Sequence, residues 1–277
     1  MNIINISSKY NLSNSQVEFA ERIIVCGKDH YMRDNEIYFL SKTIPLYLVN
    51  SKEFEKYRLG NDDEFEKDGS KKPATEMLGL YYSKGKHNIK EIYLCPENIL
   101  KYTNDDNELK HIVAMVIIHE LAHAYLDKRD RYTPIDAFYR WMEESMANNI
   151  TLQYFESYYD NWHHRRRYNC DNEILSHNSS SKINYVEEFI MNQPKNYKLG
   201  LYLYRSRFRH EHFWYNNKVE TQKKTKAKAE WLNYVKRIIS NDISKVNLEE
   251  LYEKTKTVLL EDPYCEITKA KNDKILF

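Results

Sequence analysis

The stretch Ile117-Ile118-His119-Glu120-Leu121-Ala122-His123-Ala124-Tyr125 decides how the rest of the chain is read. His119 and His123 are four residues apart. On an α-helix that spacing brings both imidazoles to one face, within reach of a single metal ion. Glu120 stands about a quarter-turn round the helix, where its carboxylate reaches a water on such a metal without being a ligand. The neighbours agree with a helix. Leu109 to Asp127 is apolar nearly all round in its middle, which predicts an element at the centre of the fold. Thr103 is the expected N-cap, with Asp106 at the third position after it. Two His and a Glu in so apolar a helix point to a functional role, because such residues are seldom buried without a partner.

A zinc ion in a hydrolytic site takes three protein ligands and leaves one position for water. The third ligand is expected from a later element. Lys128 to Tyr132 reads as a charged turn, Thr133 as a cap and Pro134 as the first residue of a helix that runs to about Tyr159. Ala137, Trp141, Glu144, Asn148, Leu152 and Phe155 recur at three and four along it, which predicts a core-facing stripe. Glu144 is the expected ligand. Glu143, about 100° round the helix, is the alternative. The choice rests on Asn148, one turn on along the same face, whose side-chain oxygen can accept the ring N–H of a ligand His and fix its orientation.

Around this pair of helices the chain is long enough for a sizeable core, with 277 residues of which 42% are hydrophobic. Only six Gly and six Pro favour helices joined by polar loops. Ser13 with Gln16 forms a predicted capping box for a first helix that Gly27 can end. Ile37 to Leu40 is ambiguous between helix and strand. Ile44 to Val49 reads as a strand, with Pro45 at its start or on an edge. Residues 60–76 are a polar loop. Leu78 to Tyr82 and Ile89 to Leu94 flank a polar turn containing Gly85, which is a hairpin signal. Ile92 and Leu94 alternate with Glu91 and Tyr93, so one buried face is expected. After a basic run, Trp162 to Arg167, a short helix is expected from Ile183 to Met191, stopped by Pro194. Tyr197 to Tyr215, aromatic and basic, has no assigned structure. A Lys-rich helix follows from Val219 to Ser240, with Trp231 and Val235 on one side. A last helix, Leu248 to Leu260, opens on Asn247 and Glu250. The expected organisation is a motif-bearing core over 1–160, and a mainly helical region over 161–277 that completes the same globular unit.

Composition narrows the class. Cys26, Cys95, Cys170 and Cys265 stand far apart, which excludes a Cys-based zinc ribbon and fits a reducing compartment. The first ten residues lack the basic and apolar regions of a secretory signal. The apolar run Ile112 to Ile118 is far short of a membrane span. A cytoplasmic chain with no membrane partner is expected. Residues 1–150 carry 20 Lys and Arg against 24 Asp and Glu, whereas residues 151–277 carry 22 against 17. The second half is therefore basic, and a solvated surface is the plain reading of it.

His119-Glu120-Leu121-Ala122-His123 followed by Glu144-Ser145-Met146-Ala147-Asn148 resembles the gluzincin type of zinc metallopeptidase, which has HExxH on one helix and a Glu on the next. The resemblance covers about residues 76–155. It implies an α+β, zincin-like fold: a small, mostly antiparallel sheet packed on a central HExxH helix and a second Glu-bearing helix, with a mainly helical C-terminal extension. It implies one Zn2+ per chain on His119, His123 and Glu144, and a peptide or protein substrate. Zinc would polarise the scissile carbonyl and acidify a bound water, and Glu120 would carry that water's proton to the leaving amine. Such enzymes place a hairpin before the motif helix and bind substrate backbone along its edge strand. Leu78 to Leu94 occupies that place, and Tyr81 and Tyr82 are the candidate substrate-binding positions. The clan also uses a downstream His or Tyr to stabilise the oxyanion. Tyr197, Tyr202, Tyr204, His210 and His212 are candidates, with His210 preferred for its distance past Glu144. The third His of the metzincin pattern is absent, since Arg129 stands there. The competing expectation is a catalytically inactive zincin-fold protein, acting as a regulatory, partner-binding or nucleic-acid-binding module through its basic second half. A steep salt dependence of nucleic-acid binding would mark it.

Overall fold

The computed structural model describes residues 1–30, 36–58, 77–84, 89–127, 137–160, 186–191, 195–205, 230–231, 233–235, 237 and 246–261. The loop at 60–76, the Thr133–Pro134 start of the second helix, the basic run 162–167, the start of the Lys-rich helix, and His210 and His212 lie outside the described residues. The chain is α+β, mainly helical with one small four-stranded sheet. It groups into two compact units. One comprises Met1–Tyr125 with Gln153–Phe189, the other Leu126–Leu152 with Ile190–Phe277.

The first unit holds the sheet. Its strands are β1 (Asn2–Asn5), β2 (Pro45–Leu48), β3 (Gly79–Lys84) and β4 (Ile89–Leu94), in the order β1-β2-β4-β3. β1 pairs with β2 and β2 with β4 in parallel, and only β3 and β4 pair antiparallel. The sheet is therefore mixed, and the expectation of a mostly antiparallel sheet is corrected. The reason lies in the connections. Helices α1 (Asn14–His30) and α2 (Glu36–Thr43) join β1 to β2, and α3 (Ser51–Arg58) follows β2. Helical connections of this length return the chain for a parallel pairing, whereas a connection as short as the one from Lys84 to Ile89 permits only an antiparallel one. Pro45 stands at the first residue of β2, where its missing N–H breaks no run of the ladder.

Both faces of the sheet are covered. Leu46, Leu48, Ile92 and Leu94 are buried on one side. On the other, Tyr93 packs with Val49, Phe54 of α3, Met77 and Cys95, and with the partly buried Tyr47, Leu80 and Tyr82. The single buried face read from β4 is thus two faces.

Local signals account for several helix ends. The Ser13 N–H donates to Gln16 Oε1 (2.9 Å) and the Gln16 N–H to Ser13 Oγ (3.3 Å), so the capping box opens α1. Gly27 does not end it: α1 runs on to His30, with Gly27 under the ring of Tyr154. After the short α4 (Pro96–Ile99), α5 spans Asp106–Asp127. Its cap is Asp105 rather than Thr103. Asp105 Oδ1 accepts the N–H groups of Asn107 (2.8 Å) and Glu108 (2.9 Å), while Thr103 Oγ1 accepts the Asp105 N–H (3.0 Å). Residues 111–126 are all buried, as an all-round apolar helix requires. The segment Asp106–Leu126 is long and apolar enough to cross a membrane by length and composition, and 83% of it is buried inside the fold, as in a core helix.

Helix α6 (Ala137–Asp160) is buried at nearly every position from 145 to 155, so its core contact is broader than the predicted stripe. In the first unit its end meets α5 and α1 through His111. Nδ1 of His111 faces the Asn107 carbonyl, so it carries the proton, and Nε2 faces the Tyr159 hydroxyl. The ring stacks on Phe155 and Tyr159 and tilts against Phe19.

The second unit contains α7 (Lys195–Arg205) and α8 (Leu248–Glu261). α7 falls in the stretch that sequence reading left unassigned. Trp231 is fully buried, and its indole N–H donates to Thr255 Oγ1 of α8 (2.8 Å). Asn247 Oδ1 accepts the Glu250 N–H (3.0 Å), so the predicted cap opens α8.

Candidate metal centre

His119 and His123 occupy successive turns of α5, as four-residue spacing requires, and both are buried. Their rings stand at 82° with centroids 4.7 Å apart, and the two Nε2 atoms are 3.1 Å apart. Two nitrogens bound tetrahedrally at ordinary zinc distances would be separated by about 3.3 Å. The observed pair is close to that. His119, His123 and Glu144 each offer one ligand atom, and these atoms all lie within 4.8 Å of one another. Two imidazoles and one carboxylate form a donor set suited to a divalent transition metal, zinc above all, and three protein ligands leave room for a further one. The residues therefore fit a single ion.

Glu120 lies against the sheet rather than within that group. A Cβ built on Gly79 would fall 2.7 Å from Glu120 Oε1, 2.9 Å from its Cγ and 2.7 Å from Val116 Cγ1. The backbone of β3 therefore rests directly on the motif helix at Glu120. Only a residue without a side chain permits that approach. β3 is also the outer strand of the sheet among the described residues. The Cys95 N–H donates to the Leu78 carbonyl (3.0 Å), and Leu80 opposes Tyr93 and Tyr82 opposes Glu91 in the same register. These residues turn their main-chain groups toward β4. Gly79, Tyr81 and Ser83 consequently direct theirs to the outer edge. Among the described residues, the outer edge of the sheet thus starts at the residue touching Glu120.

The two candidate substrate positions part company here. Tyr81 shares the Gly79 side of the strand. Tyr82 is on the opposite face, edge-on to Tyr93 at 6.3 Å. Asn148 is buried, one turn beyond Glu144 on α6. The backbone of α7 presses on this turn: a Cβ at Gly200 would meet Asn148 Cβ at 2.5 Å and the Ser145 carbonyl oxygen at 2.7 Å. Of the oxyanion candidates, Tyr197, Tyr202 and Tyr204 belong to α7, with Tyr202 fully buried and Tyr204 partly so. His210 and His212 lie outside the described residues, as does the side chain of Glu143.

Two other ionisable groups near these elements are held neutral. Burial pushes the Tyr154 hydroxyl well up, and the neighbouring Tyr125 and Glu36 add to the shift. Burial likewise raises the Cys95 thiol against opposing hydrogen bonds from Ser51 and Asn98, so it remains a protonated core group. Sequence reading missed the contacts of Gly79 and Gly200. The available signal was their rarity, since the chain has only six glycines. Comparison with protein-family models, with curated proteins and with solved structures gives no match.

Proposed function

We propose that the chain is a zinc-dependent metallopeptidase of gluzincin type. The observation that carries the proposal is the donor group His119, His123 and Glu144, with Glu120 between the two His on α5 and set against an outer strand. A zinc ion held by these three residues would polarise a carbonyl and lower the pKa of a coordinated water. Glu120 would then serve as general base and general acid, accepting the water's proton and delivering it to the leaving amine. The outer position of β3, with the main-chain groups of Gly79 and Ser83 directed away from β4, suits an extended peptide added as a further strand, which makes peptide the substrate class. Burial of the motif helix keeps bulk water from competing for these groups. The basic second half remains the basis of the alternative, a partner-binding or nucleic-acid-binding module with a structural metal.

The test is the purified full chain with its metal content measured, offered a mixture of unstructured peptides. The wild type should carry one zinc per chain and cleave. Glu120→Gln should retain the zinc and lose about 100- to 10,000-fold in turnover. A folded wild type with no stoichiometric metal, or a Glu120→Gln variant that cleaves as well as the wild type, ends the proposal.

A further inference from the structure

Helix α7 carries Gly200 in its middle, a costly choice for a helix interior unless the position needs it. The need is visible in its surroundings. Any Cβ there would overlap Asn148 Cβ at 2.5 Å and the Ser145 carbonyl oxygen at 2.7 Å, and would lie 3.4 Å from the Asn149 nitrogen. The two overlapping atoms, Asn148 Cβ and the Ser145 carbonyl oxygen, are both fixed by the α6 backbone, so no rotamer change relieves the overlap; the two helices must separate. The touched residues bracket one turn of α6. Ser145 follows Glu144 directly, and Asn148 is one turn later. Leu199, Leu201 and Leu203 are fully buried and anchor α7 on either side of the contact.

We infer that α7, through Gly200, is the positioning element for the Glu144 ligand. The inference rests on the metal reading given above and adds to it a residue that touches no metal. Glu144 is the one of the three candidate ligands that α6 supplies. The Gly200 contact constrains its turn, since the two helices meet backbone to backbone. A methyl group at 200 needs α6 and α7 to separate by about 0.9 Å to restore an ordinary 3.4 Å contact at Asn148 Cβ, and by about 0.7 Å at the Ser145 carbonyl oxygen. Metal–ligand distances tolerate only about 0.2 Å. Disturbing what orients a ligand typically costs about 10- to 100-fold in affinity.

The experiment titrates the full chain with Co2+, read by visible absorption, and with Zn2+ in competition. The proteins are the wild type, Gly200→Ala, Glu144→Ala, the double variant, and Thr255→Val, which damages the same unit at the Trp231 hydrogen bond. Gly200→Ala should weaken binding about 10- to 100-fold and change the Co2+ spectrum. In the Glu144→Ala background it should have no further effect. Thr255→Val should lower the melting temperature and leave the affinity unchanged. If Gly200→Ala does not fold, Leu203→Ala loosens α7 without inserting an atom, and the same split is expected. Wild-type affinity in Gly200→Ala or Leu203→Ala, or an equal loss with and without Glu144, overturns the inference while leaving the metal site standing. A folded wild type that binds neither ion removes the metal reading and this inference together.

Discussion

Helices α5 and α6 present their candidate ligands in different ways. On α5 two imidazoles are four residues apart, so helix geometry brings them to one face, where their Nε2 atoms are 3.1 Å from each other. The neighbouring element, β3, touches α5 at Glu120 rather than at a ligand. On α6 a lone carboxylate is presented, and the neighbouring element, α7, touches the turn that carries it. The His119–His123 pair of α5 is thus local in origin, while the settings of Glu120 and Glu144 depend on contacts made by residues distant in sequence. This contrast predicts different outcomes when each support is removed.

The largest expected effect is removal of the metal. Zinc at 1,000-fold over its Kd should stabilise the fold by about 4 kcal/mol, and a chelator should abolish that gain in urea denaturation. His119→Ala should abolish it equally, because it breaks the pair that α5 forms by itself. Glu144→Ala should leave part of it, since that pair survives. Equal losses in the two variants would erase the proposed asymmetry.

Gly79→Ala is expected to cost roughly 2 to 3 kcal/mol by overpacking against Val116 and Glu120. Its zinc content should stay at the wild-type level while peptide turnover falls, since the added methyl meets Glu120, the proposed general base, and none of the three candidate ligands. A variant that loses zinc in proportion to activity would show that β3 supports the ligands as well. The smallest effect is expected from Tyr159→Phe. It leaves Nε2 of the buried His111 without its hydroxyl and should cost about 1 to 2 kcal/mol. Thermal denaturation should register that loss, with zinc affinity unchanged, because His111 lies two turns before the first ligand and serves packing.

Much of the first unit could be read in the sequence because its signals are local. The Ser13–Gln16 capping box, the all-round apolar α5 and the β3–β4 hairpin each depend on residues a few positions apart. β1 escaped notice because Asn2–Asn5 has two asparagines at its ends and only four residues. The parallel pairings escaped because they join segments more than forty residues apart, for which alternation gives no direction. α7 escaped because an aromatic, Gly-containing stretch has weak helical propensity and is held by burial instead.

By itself the sequence determined the two imidazoles on one face, the carboxylate between them and the burial of the helix that bears them. These follow from a period of 3.6 residues and from apolar composition. Only the tertiary structure decided that Glu144 comes within 4.8 Å of both His, that Gly79 brings the outer strand of the described sheet onto Glu120, and that Gly200 sets α7 against the Glu144 turn. Those distances are between residues far apart in the chain, and close packing of backbone on backbone, rather than any local spacing, determines them.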